Sequence, residues 1–205
     1  MNSKTYLSLG SLITAALVTA VPALYAQTSK DDFKKEPDQS MAAAHEAFEK
    51  GDKDKAAADL NEAARWVKKQ AKKVGESSSA EMKTAGDELE KLGDGVKKGT
   101  VKSGDEMKKT FAKVDHEIAS CWHKSAEGTK KAGKDSTADL KKAGQALESS
   151  SKWSGHQLSQ GAKDSVKAVK KASKETGEGA KAAANDLDKW FKGIGDGIKE
   201  LGKQL

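Results

Sequence analysis

Between residues 41 and 121 the apolar side chains recur in steps of three and four, and short polar, glycine-containing breaks interrupt them. That spacing lines up one stripe of a helix and no single face of a strand. A first helix carries Met41, His45 and Phe48, with Ala44 beside them, and stops at Gly51-Asp52. A second carries Ala56, Leu60, Ala63, Val67, Gln70 and Val74 and stops at Gly75. Ser78 with Glu81 makes a capping-box pattern ahead of Met82, Ala85, Leu89, Leu92 and Val96. Gly99 closes that third helix. Ser103 with Glu106 then repeats the pattern before Met107, Phe111, Val114, Ile118 and Cys121. Narrow stripes on short connections can bury only against one another. Residues 38–128 are therefore predicted to form an up-down four-helix bundle, with an open array of helical hairpins as the alternative.

The pattern changes over residues 129–186. Small or apolar residues recur with a period near eleven: Leu147, Leu158, Val169, Ala180 and Phe191 in one series, Ala143, Ser154, Ser165, Thr176, Leu187 and Ile198 in another. Eleven residues make about three helical turns, so such a repeat keeps its stripe on a nearly straight helix. Ala, Ser, Thr and Gly dominate the stripe and bury little area, and glycines at 144, 155, 161, 177 and 179 weaken it. A partly ordered helical extension is predicted. Residues 187–205 are more strongly patterned: Leu187, Trp190, Phe191, Ile194, Ile198, Leu201 and Leu205 share one face, flanked by Lys189, Lys192, Lys199 and Lys203. Gly193, Gly195, Gly197 and Gly202 lie among them, so this helix is expected to be stable only when docked. The whole chain is predicted to be all-α.

The first 26 residues differ in kind. Lys4 precedes an apolar run over Leu7–Val21, Pro22 follows, and Ala26 stands just before a polar stretch. This is the pattern of a secretory signal peptide cleaved near Ala26, and Pro22 argues against an uncleaved anchor. The expected product is exported, periplasmic or extracellular, and soluble after cleavage. Charge adds a direction. Residues 27–123 carry 19 Lys and Arg against 20 acidic residues, whereas residues 124–205 carry 17 Lys against 11. A basic C-terminal half outside the cytosol suits an anionic membrane surface or envelope polymer, or a protein partner. Nucleic acid fits poorly: Arg65 is the only arginine, so the bidentate groups that read bases are lacking.

The eleven-residue, lysine-rich, amphipathic pattern over about Lys130–Leu205 resembles the exchangeable apolipoproteins and the late-embryogenesis-abundant-type stress proteins. The resemblance implies long helices that fold on lipid or during drying, with no catalytic residues to carry over. The chain departs from these families in its abundant glycine, and from the apolipoproteins in lacking their regularly spaced prolines.

Catalytic patterns are absent: no Gly-x-Ser-x-Gly elbow, no phosphate-cradling loop, no Cys-x-x-Cys, and His116-Glu117 lacks the second histidine of a zinc-protease helix. The expectation is a non-enzymatic interaction protein of the cell envelope, binding lipid or a partner through its C-terminal part and connected with stress. Asp52 reads as a helix start. Three histidines mark the alternative, a periplasmic metal- or haem-binding bundle. His116 and His123 are seven apart on the fourth helix, and His45 can approach one of them if helices one and four are neighbours. Two or three imidazoles in a bundle can bind haem iron, copper or zinc. Cys121, the single cysteine, fits a small buried hydrophobe, and a free thiol or the C-terminal helix offers a route to self-association.

Overall fold

Seven α-helices and no strand make up the described residues, 36–174 and 178–205, of the computed structural model. Side chains are described for all of these except residues 77 and 178–185. The expected leader, residues 1–26, lies outside the described residues. Among the described residues no helix is long and apolar enough to cross a membrane.

The helices are α1 (Pro37–Glu49), α2 (Lys53–Gln70), α3 (Glu76–Lys98), α4 (Gly104–Lys131), α5 (Thr137–Ser154), α6 (Gln160–Ala172) and α7 (Glu178–Gly202). Their ends follow local chemistry. Pro37 takes the first turn of α1, where its missing N–H costs nothing. Asp52 caps α2 by accepting from the Lys55 amide at 3.1 Å. Ser103 caps α4 by accepting from the Glu106 amide, and Glu106 accepts in turn from the Lys102 amide at 2.8 Å. The matching pattern at Ser78 is not a cap. α3 begins three residues earlier at a Gly75 N-cap, which leaves Ser78 buried inside the first turn.

α1 packs on α2, α2 on α3, α3 on α4, and α4 returns to α1. The predicted stripes meet at the centre, with Met41, Leu60, Val67, Met82, Leu89, Met107 and Phe111 all fully buried. α5 runs along α4, and the α6–α7 pair packs on α5 and α4. One apolar core therefore runs from Met41 to Leu201. The eleven-residue stripe is buried at Leu147, Leu158, Val169 and Phe191. It is not carried on one straight helix. Gly155, at φ +74, ends α5 in the left-handed conformation that favours glycine, and the chain turns back before α6.

Candidate functional site

The amphipathic face that the sequence places over residues 187–205 is on α7. Trp190, Phe191, Ile194, Ile198 and Leu201 are buried, Leu187 is partly buried against the core, and Leu205 is 37% exposed. α4, α5 and α6 cover this face. Lys189, Lys192 and Lys199 are exposed, as the pattern required.

Two histidines of α4 seat α7. His116 Nε2 lies 2.8 Å from the Ile198 carbonyl oxygen, and His123 Nε2 lies 3.0 Å from that of Phe191. His116 and His123 are one heptad apart, and so are Phe191 and Ile198. The order reverses between the helices, so α4 and α7 run antiparallel. The His123 ring also meets the edge of Phe191 with centroids 5.5 Å apart. Space for both imidazoles comes from glycine: a Cβ at Gly195 would sit 3.1 Å from His123 Nε2, and one at Gly202 would sit 2.7 Å from His116 Nε2. Gly193 and Gly197 serve the other side of α7. A Cβ at Gly193 would meet Ser165, and one at Gly197 would meet the Ala162 Cβ at 2.7 Å.

The third histidine is elsewhere. His45 stands beside Gly104 at the start of α4 and against Trp153, with ring centroids 6.1 Å apart. Gly104 precedes His116 by twelve residues, about 18 Å along the helix axis. His116 and His123 are about 10 Å apart along the same axis and engage separate carbonyls. A metal ion needs its ligands at about 2 Å, so the structure does not bring His45, His116 and His123 to one centre. Among the described residues no group of three or more His, Cys, Asp or Glu is arranged to hold a metal ion.

Cys121 is fully buried, with Sγ 3.4 Å from the Ser78 carbonyl oxygen and 3.7 Å from Glu81 Oε2. Burial, reinforced by the Glu81 charge, pushes its thiol up to about 12. Self-association through this sulfur therefore requires the α3–α4 seam to open.

The outward side of α6 is basic. Ala162, Ser165, Val166, Val169 and Ala172 face the core. Lys163 and Lys167, four apart, stand exposed on the opposite side beside exposed Lys171, with Asp164 among them, and exposed Lys174 follows in the turn after the helix. Lys170, half-buried, bonds Glu148 of α5. The outer side of α7 is mixed, with Asp188, Asp196 and Glu200 among its lysines, and Lys192 pairs with Asp196 at 2.7 Å.

One further cluster went unread in the sequence. Asp38 of α1 and Asp115 of α4 bring two carboxyls together in a cavity of about 100 Å³ that Trp66, Ile118, Trp122 and Lys142 also line. Asp115 is fully buried, and among the described residues neither of its oxygens meets a donor. Burial first, then the Asp38 charge, holds the Asp115 carboxyl well above the ordinary carboxylate range. Burial also raises Asp38, although it accepts from Ser149. The available signal was register: Asp115 falls in step with Phe111, Ile118 and Trp122, at intervals of four, three and four, where an apolar residue belongs.

No family model, curated protein or solved structure matches the chain. The functional reading therefore rests on its own geometry.

Proposed function

We propose that this chain is a non-enzymatic helical interaction protein of the cell envelope, whose basic C-terminal half adsorbs to an anionic membrane or polymer surface. α1–α4 act as the bundle that carries it, and an N-terminal signal peptide exports it. The observation that supports this reading is the outward side of α6, where Lys163 and Lys167 are exposed with Asp164 between them, and Lys174 is exposed in the turn that follows. With the apolar face of α7 covered by α4, α5 and α6, the attraction is electrostatic rather than insertional. A lysine near an anionic bilayer contributes about 1 kcal/mol, and the attraction fades beyond a Debye length of about 8 Å at physiological salt.

The test is co-sedimentation of the purified protein with vesicles of phosphatidylglycerol and phosphatidylcholine, compared with phosphatidylcholine alone. Binding is expected only with the anionic lipid, and it should fall steeply as salt rises. The triple variant Lys163→Gln, Lys167→Gln, Lys174→Gln should bind about a hundredfold more weakly. No binding at low salt, or a triple variant that binds like the parent, removes the membrane form of the proposal. The same pair of proteins on a polyanion column tests the polymer form.

A further inference from the structure

Asp115 has no exposed surface, and among the described residues no N–H or hydroxyl group donates to either carboxyl oxygen. Burying a carboxyl without a donor is among the costlier arrangements a core can hold. A second carboxyl, Asp38, lies within hydrogen-bonding reach of it, so the two can share a proton. Both line a cavity that residues of α1, α2, α4 and α5 surround.

The rest of the cavity narrows the choice of ligand. Trp66, Ile118 and Trp122 supply apolar and aromatic walls. Lys142 Nζ stands 3.7 Å from the centroid of the Trp122 ring, so one face of that indole already attracts an ammonium. A volume of about 100 Å³ is smaller than the roughly 150 Å³ cavity that accepts benzene, which limits the buried head to a few heavy atoms. A hard metal ion takes six or more oxygen ligands. Two carboxyls between indole walls suit an organic cation better.

We propose that this cavity binds the head of a short primary alkylammonium, whose N–H groups donate to Asp115 and Asp38 while its methylenes lie against Trp66 and Trp122. The site is independent of the lysine side of α6, so it stands or falls apart from surface adsorption. The charged groups around it are Glu36 at the start of α1, Lys142, and Lys152, whose charge acts on Asp38. A cation entering beside Lys142 is balanced only when both aspartates are ionised. Binding therefore transfers the proton held on the carboxyl pair to solvent, one per ligand, with no other bond made or broken.

Calorimetric titration of n-butylammonium chloride into the full protein, repeated in two buffers of different ionisation enthalpy, reads affinity and proton release together. Saturable one-to-one binding with release of a proton is expected, and 1-butanol, which lacks the charge, should bind far more weakly. Asp115→Asn keeps the shape, and should cost about tenfold or more in affinity and abolish the proton release. If that variant does not fold, Asp38→Asn, at the less buried partner, carries the same test. Nα-acetyl-lysine amide distinguishes a free amine from an amine on a peptide: binding equal to that of butylammonium assigns the site to a lysine side chain, and weaker binding assigns it to a free amine. A silent butylammonium titration, equal binding of 1-butanol, or unchanged binding by the variants overturns the proposal.

Discussion

A Cβ placed on Gly202 of α7 would stand 2.7 Å from His116 Nε2, the nitrogen that meets the Ile198 carbonyl one turn earlier. The same pairing recurs one heptad away at Gly195 and His123. In each case the missing side chain makes room for an imidazole on a helical carbonyl. Glycines that weaken α7 as an isolated helix therefore fit it to its neighbours.

Gly193 tests this reading, because a Cβ there would meet Ser165 and lie 2.9 Å from the backbone oxygen of Gly161. Alanine normally stabilises a helix interior by about 1 kcal/mol over glycine. Gly193→Ala is expected to lower stability by about 1–3 kcal/mol instead, the usual cost of overpacking. Gly128→Ala in α4, where nothing lies within 4 Å of the new Cβ, should raise it by about 0.5–1 kcal/mol. Urea denaturation of the two variants beside the parent reads both signs.

Removing the imidazoles should loosen α7 selectively. His116→Ala combined with His123→Ala loses two hydrogen bonds at about 0.5–1.5 kcal/mol each. Limited trypsin digestion should then cut at Lys189, Lys192 and Lys199 well before sites in α2 or α3. Unchanged cleavage would show that apolar burial alone holds the helix.

Stability should depend on pH through carboxyls that burial raises. Glu117, half-buried between α3 and α4, is pushed up from 4.5 to about 7 by burial and then by Glu88 and Glu81. Asp38 and Asp115 are raised too. For each, the folded state holds its proton at a pH where the unfolded chain has lost it, so stability falls as pH rises. For Glu117 the fall spans about pH 4.5 to 7 and is complete above that window. Urea midpoints from pH 4.5 to 8 should decline accordingly. Glu117→Gln should flatten part of the slope, and Asp115→Asn should raise stability at pH 7.

Cys121 should be inert in the folded protein. With its thiol at about 12 and no exposed surface, reaction with an aromatic disulfide reagent should proceed only as fast as the α3–α4 seam opens. It should complete promptly in denaturant. Prompt reaction of the native protein would contradict its burial.

The helices were legible because periodicity and punctuation agree. Met107, Phe111, Val114 and Ile118 share a stripe whatever they pack against, and Gly51 and Gly99 each mark a turn, whereas Gly155 ends α5 inside a stripe that read as one long helix. The cover of α7 was not legible. An exposed face and a docked one carry the same Trp190, Phe191 and Ile194, and only the three-dimensional path shows His116 and His123 meeting that helix. The histidines stood out by their heptad spacing, which reads equally well as a ligand set or as a seam. The carboxyl cavity joins residues 77 positions apart, Asp38 and Asp115, and no local pattern links them. The Ser78 cap misled because α3 already starts at Glu76, after a Gly75 N-cap that makes no side-chain bond.

Hydrogen–deuterium exchange of the full chain, followed helix by helix, tests most directly whether α7 belongs to the common core. Amides over Trp190–Leu201 should be protected to within about tenfold of those in α4, since both helices line one apolar cluster. Exchange of that segment at the rate of an unfolded peptide, while α2–α4 stay protected, would contradict the account.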